Sequence, residues 1–382
     1  MRKPALFGAL FVAVSAQQAA AQKAEYWITR LGNDTVAFER YVRAKDRLEG
    51  QFVVTTPRVR VNQYTVTFNP DGTVRRYEAS SKAGLEGSGA PPQSAVAEFE
   101  AGSIVAIVTR NAKPDTTRIA AGKNPLPNAL YAWGLFGLAT QAARALKADS
   151  VVVEQWAVGA RAVAKTSVTR RDDSLVVDFF QSPMMVKADK KGRPTAVNGM
   201  RTTVKVLAQK VKRLDLAALT ESFVARERAG QTVGALSTRD TVQATVLGTS
   251  LWIDYGRPSK RGRQIVGGVV PYDQVWRTGA NAATQFRVDR AVVIGGATVP
   301  AGMYTLWTLP TTVGIKLIIN KQTGQWGTAH DPRQDLVRVD LDVERLDEMV
   351  ERFTISAVEA GGVGQIRFDW DHTRWVVRFR VP

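Results

Sequence analysis

The sequence predicts a mainly β protein. Apolar and polar residues alternate over many short segments, turn sequences separate these segments, and apolar residues at helical spacing occur in only two places. The alternation is clearest where Tyr64, Val66 and Phe68 share one face of a strand that ends at the Asn-Pro-Asp-Gly turn of residues 69–72. Strands with one polar face are typical of antiparallel sheets, so we expect antiparallel sheets throughout.

Two β-rich domains are expected. Residues 22–228 predict an antiparallel β-sheet domain with two helices, near residues 128–147 and 214–228, the first capped by Asn128. Residues 229–239 are predicted to be a linker. Residues 240–382 contain about ten short strands with hairpin turns between them, which predicts a jelly-roll-like antiparallel β-sandwich.

Residues 1–21 have the pattern of a signal peptide. Arg2 and Lys3 precede an apolar run from Ala5 to Val14, and small residues follow it, so cleavage is predicted after Ala21. The apolar run is too short to span a bilayer. We therefore expect a periplasmic or extracellular protein that does not span the membrane. The chain has no cysteine, which excludes disulfides and thiol catalysis.

The charge is strongly positive and unevenly distributed. The chain has 52 Lys and Arg against 35 Asp and Glu, a formal net charge of +17. Residues 22–238 hold 32 basic and 20 acidic residues, whereas residues 239–382 hold 18 and 15. This imbalance favours anionic partners, which outside the cytoplasm would be small molecules, glycans or envelope surfaces. No motif for nucleic-acid binding is present, so we expect no nucleic-acid partner.

The segment from Tyr255 to Thr284 predicts a long ordered loop, and such loops commonly carry function. Arginine forks suit carboxylate, sulfate or phosphate groups, while Trp and Asn can stack and hydrogen-bond beside them. The candidate ligand-binding residues are Arg257, Arg263, Trp276, Arg277, Asn281 and Thr284. The structural alternative is that Arg257 and Arg263 pair with internal aspartates, that Trp276 lies in the core, and that Asn281 stabilises a turn in which Gly279 supplies a positive φ.

Several short sequence motifs in the C-terminal part of the chain resemble those of a known family. They are Gly256-Arg257-Pro258-Ser259, Gly262-Arg263, Gly267-Gly268, Pro271-Tyr272, the run from Trp276 to Asn281 with Thr284, Leu309-Pro310, Asn320-Lys321 and the run from Asp335 to Arg338. From about Asp240 to Pro382, the chain resembles the family called domain of unknown function 2911. The resemblance implies an exported bacterial protein with an all-β domain and no assigned activity. Members tend to have a tyrosine where this chain has His330.

The sequence favours a non-catalytic binding module over an enzyme. The two histidines, His330 and His372, have no second histidine or cysteine nearby, so no metal or other cofactor is expected. No catalytic residue is predicted. One alternative is an envelope hydrolase that uses acids near the same loops, the candidates being Asp254, Asp273, Asp331 and Asp335. Another is a structural assembly module in which these loops are buried between the two domains.

Overall fold

The computed structural model describes residues 23–87, 91–145, 148–178 and 183–382. The predicted signal peptide therefore lies outside the described residues. The described chain forms two sheets and two α-helices, and every strand pairing within the sheets is antiparallel except the short one between residues 126–128 and 155–157. The prediction of a mainly β protein with antiparallel sheets is confirmed. Neither α-helix has the length and apolar composition needed to cross a bilayer.

The first sheet contains fifteen strands. They are β1 (Glu25–Leu31), β2 (Asp34–Arg43), β3 (Arg47–Val54), β4 (Arg60–Phe68), β5 (Val74–Ala83), β6 (Gln93–Glu100), β7 (Ser103–Arg110), β8 (Lys113–Ala120), β9 (Leu126–Asn128), β10 (Ser150–Ala157), β11 (Ala164–Arg171), β12 (Ser174–Asp178), β13 (Pro183–Ala188), β14 (Pro194–Asn198) and β15 (Leu207–Val211). Their spatial order runs from β8 back to β1 and then from β15 back to β9, so almost every neighbour in the chain is a neighbour in the sheet.

Helix α1 (Trp133–Ala145) lies in the core of this first sheet. Leu135 of α1 shares one hydrophobic cluster with Ile104 of β7 and Val168 of β11, strands from opposite arms of the sheet. The sheet therefore curves around α1. Helix α2 (Leu216–Arg228) lies on the other face, where Phe223 contacts Phe38 with ring centroids 5.8 Å apart.

A buried carboxyl group, that of Glu39, holds the start of α1. Glu39 of β2 accepts hydrogen bonds from the backbone N–H groups of Trp133 (2.7 Å) and Gly134 (3.2 Å), and from the Tyr64 hydroxyl (2.8 Å). Asn128, predicted to cap the helix, lies instead in β9, and the helix begins at Trp133. A side chain from a distant strand thus replaces the expected local cap, because it satisfies the same unpaired N–H groups.

The second sheet contains nine strands. They are β16 (Ser237–Val246), β17 (Thr249–Pro258), β18 (Thr284–Val288), β19 (Val292–Ile294), β20 (Ala297–Val299), β21 (Gly302–Pro310), β22 (Ile315–Asn320), β23 (Asp335–Ala360) and β24 (Val363–Arg380). Strand β23 pairs with β22 through Leu341 and with β24 from Asp342 onward. Buried residues of all nine strands share one core, in which Tyr255 of β17 contacts Phe353 of β23.

The loop predicted from Tyr255 to Thr284 begins later than expected. Strand β17 continues to Pro258, so residues 255–258 are extended and paired with β16. Residues 259–283 contain only isolated bridges, including one from Trp276 to Thr308. The prediction of a linker at residues 229–239 stays a prediction; residues 229–236 connect α2 to β16.

Candidate functional site

A cavity of about 590 Å³ lies where the two sheets meet. The first sheet and its loops contribute Leu31, Val54, Thr56, Pro57, Leu130, Tyr131, Thr203, Val204 and Lys205. The other wall consists of residues from the segment that leads into β16, from the end of β17 and from the 259–283 segment: Ala235, Leu236, Ser237, Pro258, Arg263, Val269, Trp276, Arg277, Gly279, Ala280 and Asn281. Four of the six predicted site residues therefore meet at one cavity.

Arg277 is the most deeply buried cation of the cavity. Only 7% of its surface is exposed, and its Nε has no hydrogen-bond partner among the described residues. No described carboxylate forms an ion pair with it. Burial lowers the pKa of Arg277 to about 10. The guanidinium is therefore charged at neutral pH in an environment that opposes its charge.

Arg263 lies beside the same cavity with its guanidinium partly bound to the backbone. Its Nε donates to the Lys260 carbonyl (3.0 Å) and its Nη2 to the Ser259 carbonyl (2.5 Å). Burial lowers the pKa of Arg263 to about 10; the charge of Arg261 adds to this effect, and the charges of Glu351 and Asp34 oppose it. The carbonyl groups fix the orientation of the guanidinium but do not neutralise its charge.

Lys205 is a third cation of the site and is not among the residues predicted from the sequence. It lies in the loop between β14 and β15, half-buried, and its Nζ donates to the Met200 carbonyl at 2.7 Å. Burial lowers the pKa of Lys205 to about 8, with further lowering by the charges of Arg277 and Arg263. No local pattern identifies this residue, because its role depends on contact with a segment far along the chain.

Trp276 belongs mainly to the core, as the structural alternative predicted. Its ring stacks on Trp370 at a centroid distance of 5.8 Å and meets Phe353 edge-on at 5.3 Å. Its backbone exchanges hydrogen bonds with Thr308 at 2.7 and 2.8 Å. Part of its surface lines the cavity. Trp276 thus anchors the segment that presents Arg277.

The backbone around Arg277 is strained. Thr278 has a φ of 49° and Asn281 a φ of 63°, and across the cavity Tyr131 has a φ of 72°. This conformation is rare for a β-branched or aromatic residue. The prediction that Gly279 supplies the positive φ is wrong. Gly279 is needed for space instead, since a Cβ there would lie 2.9 Å from the Gly256 carbonyl oxygen.

The other two predicted residues do not line the cavity. Arg257 pairs with Asp240 at 3.0 Å and donates to the Thr354 hydroxyl at 2.8 Å, so it is neutralised internally. The buried Thr284 hydroxyl donates to the Thr278 carbonyl at 2.7 Å. Arg257 and Thr284 therefore stabilise the loop through internal hydrogen bonds and are not available to a ligand in the cavity.

The acids of the hydrolase alternative also lie away from the cavity. Asp254 pairs with Arg239, and Asp331 pairs with Arg333. Asp335 accepts from His330, Asn320 and Arg338, and Asp273 is exposed. None of these acids is among the residues lining the cavity. Within the described part of the chain, no three His, Asp or Glu side chains are grouped so that they could hold a metal ion.

Comparison with known proteins gives a family match for the C-terminal region only. Residues 237–379 match the family model described as a protein of unknown function (DUF2911), which confirms the resemblance carried by the motifs. No family model matches the N-terminal part. No curated protein matches the chain. Among solved structures, the chain is similar to a beta-barrel-like protein of domain of unknown function DUF1849 from Brucella abortus, with 13% identity over 50% of this chain and 96% of that chain and a TM-score of 0.35.

Proposed function

We propose that this chain is a non-catalytic, exported binding protein and that the cavity between its sheets takes an anionic ligand. The observation that carries the proposal is Arg277, a buried guanidinium with no carboxylate partner among the described residues. Removing an ionised group from water is unfavourable unless an opposite charge compensates for it. A bound anion would supply that charge.

The neighbouring cations strengthen this argument. Lys205 and Arg263 line the same cavity as Arg277, and no Asp or Glu lines it. Mutual repulsion of three cations is unfavourable without a ligand, and their attraction to a bound anion would offset it. Arginine forks can bind carboxylate or phosphate oxygens through two parallel hydrogen bonds.

The strained backbone also supports a binding role. Strained residues persist where the surrounding structure holds them, and they cluster at functional sites. Tyr131 and Asn281 line the cavity, and Thr278 directly follows Arg277. Hydrogen bonds from Thr284 to Thr278 and from the Gly327 N–H to the Asn281 carbonyl (3.0 Å) fix this segment.

Export is part of the proposal and is based on the signal-peptide pattern of residues 1–21. In the periplasm or outside the cell, the cationic residues of the first half add attraction to anionic envelope surfaces. This long-range attraction would bring the protein close to its ligand.

The assembly alternative also has an observation in its favour. The Asn33 N–H donates to the Arg261 carbonyl at 3.1 Å, and the Arg261 guanidinium pairs with Asp34, so the 259–283 segment contacts the first sheet. This contact explains the position of Arg261. It does not explain an uncompensated charge at Arg277, which is why we favour ligand binding.

The test is a binding screen with a matched pair of variants. Phosphate, citrate, glucuronate and dodecanoate are titrated into wild type, Arg277→Met and, as control, Arg287→Met, which changes an exposed arginine of β18. We expect at least one anion to bind wild type and the control equally and to bind Arg277→Met at least tenfold more weakly. Failure of every anion to bind, or equal binding by all three proteins, would contradict the proposal.

A further inference from the structure

The walls of the cavity are mainly apolar, although its charged groups are all cationic. Both walls contribute apolar side chains, which come from strands of the first sheet and from loops: Leu31, Val54, Leu130, Val204, Leu236 and Val269. A site built only for a small hydrophilic anion would surround it with hydrogen-bond donors. An apolar wall binds hydrocarbon instead, because burial removes apolar surface from water.

We propose that the natural ligand is an amphiphilic anion, with one acidic head group and an aliphatic body. This inference is based on the proposed function, since it assigns a chemical class to the ligand of the same cavity. The head group would meet Arg277, Arg263 and Lys205. The aliphatic body would lie against the apolar walls.

The polar groups of the wall argue against a glycan. Besides the cations, the polar side chains are those of Thr56, Thr203, Ser237 and Asn281, together with the Tyr131 hydroxyl and the Trp276 indole N–H. A sugar presents many hydroxyl groups, and each one buried without a hydrogen-bond partner would weaken binding. Asn281 is the only amide side chain in this wall and can satisfy few of them. A hydrocarbon body needs no such partners.

The exposed part of the wall supports the same class. Leu130 is 42% exposed although it lines the cavity, and it precedes Tyr131, whose φ is positive. An aliphatic chain in the cavity would cover Leu130. The volume of about 590 Å³ lies in the range of sites that hold ligands of lipid or drug size.

The experiment is a chain-length series on the full mature chain. Butanoate, hexanoate, octanoate, decanoate and dodecanoate are titrated as monomers, alongside citrate and dodecyltrimethylammonium. Each fully buried methylene contributes about fourfold in affinity, so even partial burial of the four methylenes that distinguish dodecanoate from octanoate is expected to give at least about a tenfold gain. Dodecyltrimethylammonium has a similar chain with a positive charge and is expected to bind far more weakly.

Two variants separate the head-group and chain contributions. Arg277→Met is expected to weaken the binding of every carboxylate by a similar factor and to leave the dependence of affinity on chain length unchanged. Leu236→Ser is expected to flatten that dependence, because it weakens the binding of dodecanoate more than the binding of butanoate. Transfer of lysophosphatidylglycerol from vesicles to the protein would identify a membrane lipid as the source, whereas binding of free carboxylates alone would identify a soluble metabolite.

The experiment distinguishes failure of the amphiphilic-ligand proposal from failure of the anion-site proposal. If citrate or butanoate binds as tightly as dodecanoate and Arg277→Met loses this binding, the proposal of an amphiphilic ligand is wrong. The proposal of an anion site would then stand. Absence of binding by every anion would overturn both proposals. Equal binding of dodecanoate and dodecyltrimethylammonium would show that charge does not select the ligand and would also overturn both.

Discussion

The charge of Arg277 lowers the pKa of Lys205, although Lys205 lies between two strands of the first sheet and Arg277 between two strands of the second. Both side chains line the cavity between the sheets, and Arg263 adds a third positive charge. Neither Lys205 nor Arg277 forms an ion pair with a described carboxylate. The protein thus holds like charges together at a place where an anion would relieve their repulsion.

Removal of the Arg277 charge is predicted to stabilise the ligand-free protein. Arg277→Met replaces the guanidinium side chain with a shorter, unbranched, apolar one and removes an uncompensated buried charge, so the free energy of unfolding should rise by about 1–4 kcal/mol. The measurement is urea denaturation without ligand, with exposed Arg287→Met expected within about 0.5 kcal/mol of wild type. A loss of stability in Arg277→Met would mean that the guanidinium has structural partners and that the cavity is not a ligand site.

Affinity for dodecanoate is predicted to fall as the pH rises through 8. The pKa of Lys205 is about 8 without ligand. A bound carboxylate raises this pKa, so binding takes up a proton at high pH and the affinity is greatest below pH 8. Between pH 7 and pH 9 we expect a decrease of about fivefold to tenfold.

Lys205→Met should bind more weakly at pH 7 and lose most of this pH dependence, whereas the exposed Lys212→Met should behave as wild type. Calorimetric titration at the two pH values measures both effects. The same pH dependence in Lys205→Met as in wild type would place the titrating group elsewhere.

Glu39 is predicted to make the first sheet less stable as the pH rises. Burial raises the pKa of Glu39 from 4.5 to about 8. The folded protein therefore holds a proton that the unfolded chain has lost between these two values, so its stability decreases with rising pH across that range and then levels off. Full stability from this group is present only below about pH 4.5.

Glu39→Gln tests this because an amide keeps the acceptor oxygen for Trp133 and Gly134 without the charge. The free energy of unfolding of the variant should exceed that of wild type by about 2–5 kcal/mol above pH 8 and differ little from it at pH 5. The exposed Glu359→Gln is the control. Parallel stability curves for wild type and Glu39→Gln, measured by urea denaturation from pH 5 to 9, would show that Glu39 is ionised throughout.

Gly256→Ala is predicted to disrupt the loop that presents Arg277. A Cβ at position 256 would lie 2.2 Å from the Ala280 carbonyl oxygen, a backbone atom that cannot move aside freely. We expect a loss of about 2–4 kcal/mol in stability and weaker dodecanoate binding. Gly314→Ala, at a position where a Cβ would meet open space, should change neither property. Thermal unfolding and titration of the two variants would decide, and equal behaviour would contradict the account of the loop.

The sequence was sufficient for the fold class because the relevant signals are local. Alternation such as Tyr64, Val66 and Phe68, followed by a Pro-Asp-Gly turn, depends only on neighbouring residues. The cap of α1 was not predictable in the same way. Glu39 reaches the helix from β2, and no nearby residue indicates that a glutamate in a strand will satisfy those N–H groups.

The candidate site was predicted in part for the same reason. Arg263, Trp276, Arg277 and Asn281 lie close together in the sequence, and the structure brings them to one cavity. Lys205 comes from another part of the chain, so its position depends on how the two sheets meet. Arg257 could not be separated from these residues by composition, since its pairing with Asp240 arises from the register of β16 and β17.

A crystal structure of the protein grown with dodecanoate would test the central claim most directly. The account predicts a carboxylate in the cavity, with one oxygen within about 2.7–2.9 Å of the Arg277 Nε, and an alkyl chain along Leu236 and Leu130. A cavity that contains only water at saturating dodecanoate, or a ligand bound elsewhere on the molecule, would contradict it.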